Sequence, residues 1–330
     1  MENNTKSKPS VIRWGIIGCG SVTEVKSGPA YQKTAGFELS AVMRRDAKLA
    51  QDYAKRHQVA RFSDNAEDII HADDIDAVYI ATPPDSHKHY ALLVAAAGKP
   101  CCIEKPLAPS YQESLAIEQA FKKAGIPLFV AYYRRSLPRF NKVKSLLESG
   151  AVGQVRHISW HLSKPANVLD TSGEYNWRTD KAIAPGGYFD DLASHGLDLF
   201  SFLLGDFQQA KGMVVNQQGL YSAYDAITAC WQHKNGVTGV GSWNFGGASR
   251  QDKVSIVGSE GELSFSVFDE VPVTLTKAGK QQAFIIENPE NIQLYHVANM
   301  HQQLTQNVQH PSTGKSALHT SWVMDEILGN

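Results

Sequence analysis

A chain of 330 residues, 42% hydrophobic and 20% charged, has material for two soluble domains with ordinary cores. Its formal net charge of -1 gives no basic footprint for nucleic acid or an anionic membrane, so the expected partner is a small molecule. Residues 1–10 are polar and lack a signal-peptide core. No run approaches the ~18 apolar residues of a membrane span, and the four cysteines show no metal-site spacing, which together favour a reduced, cytoplasmic protein.

The first ~130 residues alternate short apolar runs with helical periodicity, the pattern of stacked βαβ units. Strands are expected at 11–17, 37–43, 76–81, 101–103 and 128–131. Helices are expected at 46–57, opened by Asp46 as N-cap, at 86–97, ended by Gly98, and at 110–124, ended by Gly125. Vicinal Cys101 and Cys102 fall in one of these strands and read as small buried core residues. From about Gly153 the rhythm changes. Alternating stretches at 155–161, 226–233, 237–245, 253–257 and 262–267 predict a mostly antiparallel sheet. One helix, 187–204, interrupts it, and two more near 292–308 and 316–328 close the chain. The expected fold is therefore α/β: a dinucleotide-binding, doubly wound parallel sheet over residues 1–131, then an α+β domain over 132–330 built on an open antiparallel sheet.

The strand at 11–17 runs into Gly18-Cys19-Gly20-Ser21-Val22-Thr23. Gly18 permits a tight turn, Gly20 lets the backbone approach a pyrophosphate, and the helix opening at Ser21 and Val22 offers N–H groups to the anion. Thr23 stands where the motif has its third glycine, and Gly28-Pro29 must break this first helix early. Dinucleotide sites usually carry an acid ~20 residues further on, bonded to the ribose 2′-hydroxyl. Here the second strand ends Met43-Arg44-Arg45, and the next acid, Asp46, is committed to a cap. Two arginines suit a 2′-phosphate, because guanidinium bonds phosphate in a forked geometry. NADP is therefore expected over NAD.

Glu104-Lys105-Pro106 follows the strand at 101–103. Ligands bind outside the carboxyl ends of parallel strands, so Lys105 is placed to hold a substrate oxygen and stabilise alkoxide charge near the nicotinamide. Further on, Asp191 and His195 are four apart in an expected helix and share one face. Histidine is suited to exchanging a proton near neutrality, with the carboxylate orienting it or the substrate. His87-x-His89 and His157-x-x-x-His161 lack ligand companions at zinc-like spacing, so no metal is expected.

Gly18-x-Gly20, Ala81-Thr82-Pro83-Pro84, Glu104-Lys105-Pro106, Ala131-Tyr132-Tyr133-Arg134-Arg135 and Gly186-Gly187-x-x-x-Asp191-x-x-x-His195 occur in the order and spacing of the Gfo/Idh/MocA oxidoreductases. The resemblance covers nearly the whole chain. It implies a Rossmann domain joined to an α+β domain whose open sheet forms dimer or tetramer contacts, and hydride exchange with a sugar, inositol or related polyol. By position it implies Lys105 on the reacting oxygen, His195 as general acid/base and Asp191 orienting the substrate. Thr82, Pro83 and His87 would border the cofactor, Glu104 would lie beside its ribose, and Trp177-Arg178 near the nicotinamide or substrate. Ala193 departs from the glycine many members carry, and the missing acid after the second strand departs from the NAD-preferring inositol branch. Two rival readings share this fold: a redox-assisted glycosidase that retains its cofactor, which no residue excludes, and a non-catalytic dinucleotide-binding regulator, against which Lys105, Asp191 and His195 together argue.

Overall fold

The computed structural model describes residues 11–330, which fall into two units. Unit one holds the described residues up to Glu104, then Ile117–Tyr133 and Pro289–Thr313; unit two holds Lys105–Ala116, Arg134–Asn288 and Gly314–Asn330.

Unit one contains the parallel strands β1 (Ile12–Ile17), β2 (Phe37–Met43), β3 (Arg61–Ser63), β4 (Ala77–Ile80), β5 (Cys101–Ile103) and β6 (Leu128–Val130). Their order is β3-β2-β1-β4-β5-β6, so the chain changes direction across the sheet between β1 and β4. Such a switch point is where open α/β sheets bind ligands. All four residues of β4 are buried, as parallel strands covered on both faces require. Helix α1 (Ser21–Val25) is short, and Pro29 sits in the first turn of α2 (Gly28–Lys33), where proline costs no hydrogen bond. Helix α3 (Ala47–Arg56) is capped by Asp46, which accepts from the Lys48 and Leu49 N–H groups at 3.0 and 3.1 Å.

An aromatic cluster centres the core of unit one. The Trp14 ring lies 4.9 Å from Tyr31 and 5.3 Å from Phe37, and Tyr31 lies 5.2 Å from Tyr79. Val297 and Met300, from the helix Leu294–Gln306, close that cluster and are fully buried. Each such side chain contributes ~1.5–3 kcal/mol on burial. Cys101 and Cys102 are buried free thiols, as read from the sequence; Cys230, in unit two, is exposed.

Unit two contains an eight-stranded sheet of β7 (Val155–Ser163), β8 (Phe207–Val215), β9 (Ala226–His233), β10 (Thr238–Asn244), β11 (Gln251–Gly258), β12 (Gly261–Phe265), β13 (Val273–Lys277) and β14 (Lys280–Phe284). The order is β14-β13-β12-β11-β7-β10-β9-β8, antiparallel except where β7 meets β10. Four strands, β3, β8, β13 and β14, escape a pattern reading. β3 has three residues, β14 buries none of its five, and β8 interleaves Gln, Lys and Gly with its apolar positions.

The region read as one helix, 187–204, has two parts: a π-helical turn, Phe189–Ala193, and the α-helix Ser194–Leu204. Its packing depends on Gly196, since a Cβ there would land on the Trp160 ring. Trp160 in turn meets Phe200 and Trp243 edge-on, each at 5.5 Å. Among the described residues no helix is long and apolar enough to cross a membrane, and no group of His, Cys, Asp or Glu could hold a metal ion.

Candidate active site

The switch point of unit one gathers the glycine loop after β1 and the turn after β4. Gly18 has φ +91, a left-handed conformation, and a Cβ there would lie 2.7 Å from Thr82 Cγ2 and 2.9 Å from Thr82 N. Only glycine lets the two loops touch. A Cβ at Gly20 would meet nothing closer than 3.8 Å, so the backbone is bare on that side. Gly20 is extended and caps α1 without a side-chain bond, leaving the first N–H groups, those of Ser21 and Val22, without intrahelical acceptors. A bare glycine followed by unpaired helix N–H groups fits a pyrophosphate. Cys19 between the glycines is no thiolate: burial pushes its thiol up to about 11.

Around this loop, Arg44 is half-buried, with Nη1 3.5 Å from the Cys19 carbonyl, and Arg45 is exposed. Asp46 is spent on its cap, as expected. Thr82 accepts from Ser86 Oγ at 2.8 Å. His87 is fully buried and its Nε2 donates to the Thr82 carbonyl at 2.9 Å, so it braces the turn of Thr82 and Pro83. Glu104, at the end of β5, is buried. Its Oε1 accepts from Tyr79 OH at 2.6 Å and Gln293 Nε2 at 2.8 Å.

In unit two, Lys105 and Asp191 come together from positions far apart in sequence. Lys105 Nζ donates to Asp191 Oδ1 at 2.5 Å and to the Asp191 carbonyl at 2.6 Å. In an unbroken α-helix that carbonyl would serve residue 195, and the ladder widens here into the π turn. Such turns recur at functional sites. The second carboxylate oxygen of Asp191 lies 3.3 Å from Arg178 Nε, and the Arg178 guanidinium sits 4.3 Å over the Trp177 ring. The neighbouring Asp190 is buried and accepts from Gly186 N–H at 2.9 Å. Burial pushes its carboxyl up to about 7, helped by Asp325 and Asp191 and opposed by Gly186 N–H and Lys105.

His195 is the second residue of the α-helical part and is 5% exposed. Its ring meets Phe268 edge-on at 6.0 Å. Phe268 is fixed by its own N–H, which donates to Asp252 Oδ2 at 2.6 Å, while Asp252 Oδ1 accepts Trp160 Nε1 at 2.9 Å. One turn beyond His195, buried Asp198 takes both Nε and Nη2 of Arg135, at 2.7 and 2.8 Å, and Thr320 Oγ1 at 3.1 Å. A bidentate, buried pair of this kind fixes the rotation of the helix that carries His195.

Residues 12–132 match the oxidoreductase family with an NAD-binding Rossmann fold, and residues 140–264 match the Gfo/Idh/MocA C-terminal domain. Oxidoreductase P35 of Formosa agariphila is 37% identical over 97% of this chain and 99% of its own length. The chain belongs to the Gfo/Idh/MocA family. It is accordingly an NAD(P)-dependent oxidoreductase, on the Rossmann-plus-α+β fold read from its sequence. Levoglucosan dehydrogenase of Pseudarthrobacter phenanthrenivorans is 32% identical over 51% of this chain and 43% of that enzyme. A solved levoglucosan dehydrogenase in complex with NADH and levoglucosan superposes with a TM-score of 0.84 at 21% identity, covering 96% of each chain, and so shares the fold.

For this Gfo/Idh/MocA member, the sequence reading named Lys105, Asp191, Trp177 and Arg178, and unit two holds all four around Asp191. It did not name Gln293, whose segment returns to unit one late in the chain, or Lys164, Asp170 and Asn176. One signal was available. Lys164-Pro165 repeats, at the end of β7, the lysine-proline pair that marks Lys105 at the end of β5.

Proposed function

We propose that this oxidoreductase transfers a hydride reversibly between NADP(H), in preference to NAD(H), and a secondary alcohol or ketone of a sugar, inositol or related polyol. The observation that carries the reading is the ion pair of Lys105 with Asp191 on the turn that leads into His195. Bound nicotinamide supplies or accepts the hydride. Gly18, Gly20, Ser21 and Val22 bind the pyrophosphate, Arg44 and Arg45 the 2′-phosphate, and the Thr82-Pro83 turn with Glu104 borders the ribose side.

Lys105 steadies the reacting oxygen and its developing charge, a role for a fixed cation in a site shielded from water. Asp191 holds Lys105 and Arg178 in register and accepts a substrate hydroxyl. His195 takes the carbinol proton during oxidation and returns it during reduction. A relative named for levoglucosan supports a carbohydrate-like substrate. Met213, Val215, Val240 and Val257 are exposed on one face of the unit-two sheet, an apolar area that supports self-association as a homodimer or homotetramer.

The test is a screen of polyols and aldoses with each cofactor, following the absorbance of reduced nicotinamide. At least one should be turned over, and Lys105→Ala should abolish that turnover while retaining cofactor binding. A Lys105→Ala enzyme with near wild-type kcat would overturn the assignment. Release of free sugar from a glycoside with no net cofactor consumption would point to the redox-assisted glycosidase instead.

A further inference from the structure

One cation in unit two has no part in the mechanism above. Lys164 directly follows β7, and its backbone is fixed on both sides. Its N–H donates to the Asn244 carbonyl at 3.0 Å, and its own carbonyl accepts from Gly247 N–H at 3.1 Å. Pro165 further restricts it to an extended conformation. The stem therefore leaves the sheet in a set direction.

The ammonium stands 4.1 Å from the centre of the Tyr188 ring. Lys164 is half-buried, and among the described residues its Nζ makes no hydrogen bond and no ion pair. Burial lowers its pKa, and the fields of Asp170 and Asp191 work against that. Neither acid is in contact with it. Asp170 accepts Tyr188 OH at 2.6 Å and Asn176 Nδ2 at 3.1 Å, while Asp191 serves Lys105 and Arg178. Arg250, whose field also reaches Lys164, is matched by Asp269 at 2.7 Å.

A half-desolvated ammonium over a ring face retains only the ring's modest attraction. Hydrogen bonding to an oxyanion is what such a charge lacks. The two acids whose fields reach Lys164 are already engaged, Asp170 by Tyr188 and Asn176 and Asp191 by Lys105 and Arg178, which leaves room for an oxyanion at its ammonium. Tyr188 also has a fixed ring, because its hydroxyl is tied to Asp170 and Asn176. The platform beneath Lys164 is therefore built rather than incidental.

We propose that Lys164 binds an oxyanion carried by the substrate, so that the substrate class is an acidic carbohydrate, a sugar bearing a carboxylate or a sulfate or phosphate ester. This rests on the dehydrogenase reading, which puts the reacting carbon at Lys105 and Asp191. The anion lies on the substituent that reaches Lys164 and takes no part in the hydride step. Lys164 acts in selection, on KM more than on kcat.

The experiment is calorimetric binding to the full chain with cofactor present, using matched pairs: glucuronate with glucose, galacturonate with galactose, gluconate with glucitol, and glucose 6-sulfate and 6-phosphate with glucose. Wild type, Lys164→Met and Lys164→Arg are compared. At least one anion should bind tenfold to a hundredfold more tightly than its neutral partner, about the strength of one charge-assisted contact. Lys164→Met should bring that ratio close to one, and Lys164→Arg should keep most of it. The anion that gains most tells carboxylate from ester. The proposal is overturned if no anion out-binds its neutral partner, or if Lys164→Met keeps the wild-type ratio. Reduced cofactor is read on the same samples. Turnover without acid preference sinks the Lys164 assignment alone, whereas acid preference with no hydride transfer to any member sinks the dehydrogenase reading.

Discussion

Replacing Asp190 by asparagine should make the protein more resistant to unfolding at alkaline pH. Asp190 is 7% exposed, and burial raises its carboxyl from the ordinary 3.8 to about 7. In the folded protein the neutral acid is thus favoured. Below pH 3.8 the folded and unfolded chains both hold the proton, and the stabilisation of the neutral form is fully present. As pH rises through about 7 the unfolded chain has long since ionised, the folded chain must follow in place, and that stabilisation is lost. The gap of ~3 pKa units, at 1.36 kcal/mol each, comes to roughly 4 kcal/mol. The asparagine side chain never ionises, and its amide oxygen can still accept from Gly186 N–H. Urea-unfolding midpoints of wild type and Asp190→Asn, measured from about pH 4 to above pH 8, should diverge progressively up to about pH 7 and run parallel beyond it. Parallel profiles over the whole range would mean that Asp190 is ionised in the fold and that the argument from burial fails. The divergence also has a functional reading, because ionised Asp190 adds a second negative charge beside the Asp191–Lys105 pair.

Three further outcomes follow from the geometry. His195→Asn should lower kcat by ~10²–10⁴ and remove the acidic limb of the oxidation pH profile, whereas Asp191→Asn should also raise KM; an unchanged limb in His195→Asn would move the proton role to another group. NADPH should bind roughly tenfold to a hundredfold more tightly than NADH, with the preference lost in Arg44→Ala/Arg45→Ala; equal calorimetric affinities in the wild type would refute it. Gly196→Ala should destabilise unit two by ~1–3 kcal/mol, because its Cβ falls on Trp160, and an unshifted melting temperature would show that the helix yields without cost.

The legible parts of this fold are those where one physical signal dominates. β1 and β4 stand out because parallel strands buried on both faces are runs of apolar residues, and α3 because Asp46 caps an amphipathic stretch. β14 buries no side chain and is held by its pairing with β13, so there is no period to read. The π turn at Phe189–Ala193 has the sequence pattern of regular helix, and what accompanies its widening is distant in sequence: Lys105 bonds the Asp191 carbonyl. The same holds for the candidate site. Lys105, Asp191, His195 and Arg135 are carried by motifs, but nothing local pairs Arg135 with Asp198 or sets Asp252 behind Phe268. Gln293 is harder still, being an uncharged residue that meets Glu104 only once the chain has returned to unit one.

That return has a consequence for how the protein is made and handled. Val297 and Met300 finish a wall of the Trp14, Tyr31 and Phe37 cluster, yet they leave the ribosome long after the strands that build it. Until then the nascent nucleotide-binding half carries an uncovered apolar flank, the kind of surface that holdase chaperones engage. A fragment cut after β6 would keep every strand of the parallel sheet and still lack part of its core. Recombinant dissection of this enzyme calls for a spliced design in which residues 289–313 are rejoined to the amino-terminal portion by a linker.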